Sequence, residues 1–434
     1  MRKGVKFHNG KEFDAEAAKF AFTHYLGKTG FIAQRVSAVV NQDSFTIVDK
    51  YTLEVKTLKP FPLLPQLMTH QRLVAVEPEA FNKGEIVGTG PFKFKEEVKD
   101  QYVVVERNDE YWGEKPYFKR IVFKIIPDAN TRVMALQRGE VDVVLNPPYP
   151  LVNELKSEFN VVVARRSHTP HLIFNLKRPE LSDVRVRKAL CMAIDKKKVT
   201  ETVHENLAQP AKTLIPPELI FSAEGELQGL SYNPAEAKRL LQEAGYRDTN
   251  SNGYVDKNGQ DLQLKLAYTP EFEPSYEGMA LAVADYCKGI GVKVDLVKLS
   301  YAQFSEEVLN KGNYDLTIYT GGIFWGTPSS ILYDTFYSKS GIQDQLRFFN
   351  SAIDELMERG MELEAVKDFS GAAEYYKKLQ KYVFEDIVTQ CPLVYLNHIV
   401  VSKKNVKNLS PFPFYWLYYN GDSGNELVKV KWGG

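Results

Sequence analysis

Cysteine is scarce in this sequence. Cys191, Cys287 and Cys391 are the only three among 434 residues. An odd number at such wide spacing provides neither a disulfide framework nor a CxxC metal site. Cys191 and Cys287 fall within apolar helical patterns, where a buried, inert thiol is the default. Long apolar runs are missing too, and no stretch approaches the roughly 18 residues that a membrane-spanning helix needs. Met1 leads directly into a charged, strand-like stretch, so no secretory leader opens the sequence. Neither sign of charge is in excess. The 55 basic and 55 acidic residues balance to zero, which gives no electrostatic pull toward nucleic acid or an anionic membrane.

Catalytic signatures are equally absent. There is no GxSxG, no HExxH and no GxxxxGKS. The Gly88-Thr89-Gly90 turn runs into Pro91 and a strand pattern rather than a helix, which excludes a phosphate loop. The seven histidines, His8, His24, His70, His168, His171, His204 and His398, show no metal-ligand spacing. An enzyme has no positive support.

What is present is apolar and aromatic material in quantity: 44% hydrophobic and 12% aromatic residues over a length too great for one core. Two or more domains follow, with the aromatics read as core and surface filler. The organising stretch runs from Trp112 to Leu145. Ile121–Ile126 is a buried-strand pattern stopped by Pro127 and Asp128. Asp128 or Asn130 can cap the helix that follows, Gly139 ends it, and Val141–Leu145 is a second strand. The pattern predicts a βαβ-like unit at the heart of an α/β domain. Before it, the helix capped by Asp14, the strand pair Ser44–Val48 and Thr52–Thr57, and the strands around Gly88 and Tyr102 read as a small, mostly antiparallel α+β region. After it, strands and helices alternate. The clearest helix is that capped by Asn233, with Pro234 at its first position and Gly245 at its end.

The segment YWGEKPYFKRIVFKIIPDANTRVMALQRGEVDVV resembles one shared by the substrate-binding proteins of ABC importers for oligopeptides, dipeptides and nickel. RKGVKFHNGKEFDAEAAKFAF, VGTGPFKF, FNLKRPELSDVRVRKALCMAID, YNPAEAKRLLQEAGY and YLNHIVVSKKNVKNL continue the likeness in the family's order. The resemblance implies a two-lobe, periplasmic-binding-protein-like α/β clamp with an extra small α+β subdomain. The subdomain would take residues 1–111. The large lobe would take 112–179 with 401–434, and the second lobe 180–400. Hinge crossings would fall near Leu172 and Val400, and ligand would be enclosed by closure of the lobes. It also implies that an N-terminal strand and signal region of the family are missing from this chain. The expected protein is periplasmic or a cell-surface lipoprotein, monomeric, delivering cargo to an ABC permease and its ATPase subunits.

Cargo is where the candidate residues matter. The nickel branch is favoured, with nickel carried in a small chelator and a short peptide as the alternative; no resident cofactor is expected. By resemblance, Arg35 and Arg72 lie in regions whose arginines hold chelator carboxylates, a task suited to a planar guanidinium. Surface arginine is at least as good a reading for each. Counting back from Pro328, Phe324 stands where peptide-binding relatives place an Asp for the peptide's amino terminus, and Trp325 beside it offers an aromatic wall. The plain alternative is a core aromatic pair. His398, in the strand expected to return toward the hinge, is the first choice of metal ligand, set evenly against a backbone-bonded histidine. His70 is the second choice. DTNSNGYVDKNG, from Asp248, has the alternating oxygen residues of a calcium loop, but Gly259 stands where a bidentate Glu belongs, so a polar turn is preferred. Arg132 is read as a structural pin of its strand–helix turn.

Overall fold

The computed structural model describes the chain apart from residues 29–30, 69, 71–72, 167, 323–326, 342–344, 347, 410–425 and 434; for 31–32, 322 and 426–427 it describes the backbone alone. The largest sheet has five strands in the order Lys293–Lys298, Gln263–Tyr268, Leu316–Gly322, His168–Phe174, Gln390–Pro392. The first three run parallel, and His168–Phe174 is antiparallel to both of its neighbours. Within Gln263–Tyr268, exposed Gln263 and Lys265 alternate with buried Leu264 and Leu266, as one covered face requires. Helices Val184–Ala193, Pro234–Glu243 and Ser275–Gly289 cover the sheet, and Val186, Leu190, Leu241 and Met279 share one core with its strands. The predicted cap is present: Asn233 Oδ1 accepts from Glu236 N at 3.0 Å, and Gly245 takes φ +91°.

A second unit is built on the three-stranded antiparallel sheet Val143–Leu145, Asn397–Ser402, Asn160–Arg165, with helix Ala129–Gln137 against it. Asp128 caps this helix, its Oδ1 accepting from Thr131 N at 2.7 Å. The expected βαβ pairing does not form. Arg120–Lys124 is instead the third strand of an antiparallel sheet with Phe92–Val98 and Tyr102–Arg107. A cavity of about 860 Å³, lined by both Arg120–Lys124 and Val143–Leu145, lies between the two strands. Periodicity reports that a strand exists but carries no information about which edge it pairs with. Arg132 does pin the turn: its Nη1 donates to the carbonyls of Ile126 and Pro127 at 2.8 Å, and its Nη2 to that of Asn146 at 3.2 Å.

The N-terminal region contributes helices Ala15–Thr23 and Phe31–Val39 and the hairpin Phe45–Asp49/Thr52–Val55. Its apolar residues, among them Val36, Phe45 and Leu67, merge with Ile331, Phe336, Met357 and Tyr376 into one core. The chain passes from the three-stranded to the five-stranded sheet between Arg165 and His168 and returns between Pro392 and Asn397. Arg166 N donates to Leu396 O at 2.9 Å, so the two crossings lie side by side. Leu172 and Val400, expected near the crossings, are inside paired strands. The return passage, Leu393 to Leu396, continues the apolar pattern, which hides that boundary.

Arg187 ties helix Val184–Ala193 to the segment before the return. The 4%-exposed guanidinium donates to the carbonyls of Leu181, Ser182, Ile387 and Val388 at 2.6–2.9 Å. Arg187→Met would strand four carbonyls away from water, and urea unfolding should show a loss on the order of 3 kcal/mol.

Candidate functional site

The paired crossings are where the two units meet, and charged side chains gather there. Arg166 Nη1 lies 2.6 Å from Glu273 Oε2, with each side chain 11% exposed. Glu273 Oε1 also accepts from Ser275 Oγ at 3.1 Å, at the start of helix Ser275–Gly289. Arg165 Nε bonds Glu218 at 2.7 Å and its Nη1 bonds Asn397 Oδ1 at 3.1 Å. Asn397 Nδ2 in turn donates to Leu207 O at 2.8 Å. Tyr149, from the three-stranded unit, meets the ring of His204, from the other, edge-on at 5.1 Å.

His398 stands one residue past the return crossing, opposite Ala164 in the strand register. It is 4% exposed, in a strand covered on both faces. Burial first, and then the Arg166 cation, pull its pKa down to about 4. The imidazole is therefore neutral at pH 7.

Arg35 is fully buried and forms an ion pair with Asp334 on helix Ser330–Phe336, its guanidinium 5.7 Å from the Tyr333 ring. This corrects the reading of Arg35 as a surface group. A buried guanidinium needs a counter-charge, and Asp334 supplies it. His70 is 4% exposed, its backbone N bonded to Leu67 O at 3.0 Å. The structure does not bring His70 and His398 into one ligand cluster: among the described residues no group of three or more His, Cys, Asp or Glu side chains could hold a metal ion. Arg72, Phe324 and Trp325 lie outside the described residues. In the Asp248 loop, Asp248 accepts from the backbone of Asn252 and Gly253, and Asp256 from Thr249. Those oxygens serve a polar turn.

Arg166, Glu273, Tyr149 and Asp334 were not singled out by sequence. The doubled arginine, Arg165 and Arg166, at the end of the strand Asn160–Arg165 was the one available signal, and nothing in the pattern says that a lone Glu beyond position 270 reaches it.

The comparisons with known proteins now bear on this arrangement. The family described as bacterial extracellular solute-binding proteins, family 5 (middle), matches residues 1–343. The chain belongs to that family. This solute-binding protein is 27% identical over 437 residues to the oligopeptide-binding protein AppA of Bacillus subtilis, covering 96% of the chain and 78% of the relative. It is 28% identical over 450 residues to the nickel-binding periplasmic protein of Escherichia coli, covering 95% and 80%. Among solved structures, that of NikA from Brucella suis with Fe(III)-EDTA superposes with a TM-score of 0.80 at 24% identity, covering 100% of this chain and 87% of that one. The fold is thus the two-lobe mixed α/β clamp. The role is non-enzymatic: the substrate-binding component of an ABC importer for peptides or nickel chelates. No helix among the described residues is long and apolar enough to cross a membrane.

Two measurements probe the site's electrostatics. Asp334→Ala leaves the Arg35 charge buried and should cost about 3–5 kcal/mol in urea unfolding, whereas the double variant Arg35→Met/Asp334→Leu should recover much of it. The second concerns pH. His171, His204 and His398 are held down to about 4, chiefly by burial, and His168 well below its ordinary value. Their folded pKa values are depressed from 6.5, so between pH 6.5 and 4 the unfolded chain binds protons that the folded chain refuses. Stability present above pH 6.5 is lost as pH falls toward 4, by up to about 3 kcal/mol per histidine. The urea midpoint should drop steeply across that window, and His171→Gln should flatten the slope.

Proposed function

We propose that the cargo is nickel held in a small, anionic carboxylate or histidine-like chelator, captured between the lobes and passed to the importer's permease. The observation that carries this reading is His398, a buried neutral imidazole beside the paired crossings, where Arg166 is already matched by Glu273. A neutral imidazole can supply one bond to a metal whose other positions a chelator fills. The relationship to the nickel-binding periplasmic protein, over 95% of this chain, supports the same class. A short peptide is the second reading, favoured by the equally extensive match to an oligopeptide-binding protein.

Native mass spectrometry with nickel–histidine, nickel–citrate, nickel chloride and a dipeptide pool separates the two. The chelates should be retained and free nickel should not. His398→Asn, chosen over Ala because the site is buried and an alanine would leave a hole, should weaken chelate binding about tenfold or more, the loss of one coordinate bond. Because the folded imidazole titrates near 4, proton competition should set in well below pH 6.5. Retention of dipeptides with indifference to every nickel species would overturn the nickel reading and install the peptide one.

A further inference from the structure

Among the described ion pairs, only two have both side chains nearly covered: Arg35 with Asp334, and Arg166 with Glu273. The first lies within a single core, to which Val36 and Tyr333 both belong, so its partners move together. The second spans two sheets. Arg165 forms the last rung of the three-stranded sheet, opposite Asn397, and Arg166 is the next residue. Glu273 follows the strand Gln263–Tyr268 of the five-stranded sheet and leads into helix Ser275–Gly289. Its own element holds it there, since Glu273 Oε1 accepts from Ser275 Oγ at 3.1 Å. Glu273 therefore stands beyond the carboxyl end of a parallel strand, the side on which open α/β sheets face their ligands. One charge leaves the edge of the first lobe, and the other is fixed to the second.

We propose that Glu273 is a positioning residue for lobe closure: its carboxylate cancels the Arg166 charge and so lets the lobes stay in contact beside the crossings. Arg166 Nη1 and Glu273 Oε2 are 2.6 Å apart, and each side chain is 11% exposed, so water reaches neither group well. A guanidinium cannot shed its proton. Without the Glu273 carboxylate, the covered cation loses this counter-charge, and parting the lobes lets water replace it. With both charges removed, that penalty disappears and the lobes fit together on shape alone. The pair therefore works less as glue than as a condition on closure. The desolvation of two ions offsets much of their attraction, while a single unmatched ion is costly. Arg165 supplies the contrast. It bonds Glu218 at 2.7 Å, but the Glu218 side chain is 43% exposed, so water can take its place with no movement of either lobe. The device is independent of what the cargo is.

The test measures the radius of gyration of the cargo-free full chain by small-angle scattering. The proteins are the wild type, Glu273→Gln, the double variant Arg166→Met/Glu273→Gln, and Glu218→Gln. Glu273→Gln should shift to a larger radius than the wild type. Adding Arg166→Met should bring the radius back, a suppression that two independent losses of packing do not give. Glu218→Gln should leave the radius unchanged. If Glu273→Gln proves too unstable to fold, the second substitution should restore both folding and the wild-type radius. A wild-type radius for Glu273→Gln would overturn the proposal. So would a double variant that is unfolded or as expanded as Glu273→Gln, or an equal expansion in Glu218→Gln.

Discussion

The side-by-side pairing of the two crossings is the constraint on which the rest depends. Strand Asn160–Arg165 pairs with Asn397–Ser402 in one sheet, and His168–Phe174 pairs with Gln390–Pro392 in the other. Between these ladders each crossing is short, the return one is held by the pairing of Val394–Tyr395 with Gln209–Pro210, and Arg166 N to Leu396 O joins the two. A rotation absorbed there moves whole sheets as rigid bodies, because each strand is locked by its own ladder on either side. The clamp action of a solute-binding protein is therefore a property of where two antiparallel ladders stop.

Charges near this constraint are treated in two ways. Where a guanidinium is buried, the fold supplies a specific partner: Glu273 for Arg166, Asp334 for Arg35, and four backbone carbonyls for Arg187. Where an imidazole is buried, desolvation lowers its pKa and the ring stays neutral, as at His171 and His398. The reason is the size of the alternatives. Arginine cannot shed its proton, so it must be compensated, while histidine escapes the desolvation penalty by giving its proton up.

The Arg35–Asp334 pair also shows how the parts cohere. It joins helix Phe31–Val39 to helix Ser330–Phe336, some three hundred positions later, inside a core that both regions share. An apolar core tolerates such a pair only when the geometry around it is fixed, so the contact specifies how the N-terminal region sits against the middle of the chain more than it adds stability.

Sequence by itself determined most of the local elements: the caps at Asp14 and Asn233, a cap at Asp128 or Asn130, the turns at Gly139 and Gly245, and the structural task of Arg132. Each depends on residues a few positions apart, and short-range spacing is what a sequence displays. Motif order along most of the chain also disclosed the family. Tertiary structure alone decided that Arg120–Lys124 and Val143–Leu145 do not pair, that Arg35 answers to Asp334, that Arg166 and Glu273 meet beside the crossings, and that His398 is covered. Each of those facts is a contact between distant segments, set by which sheet edge a strand joins and which helix face turns inward. The pattern of any one segment is the same whichever partner it finds.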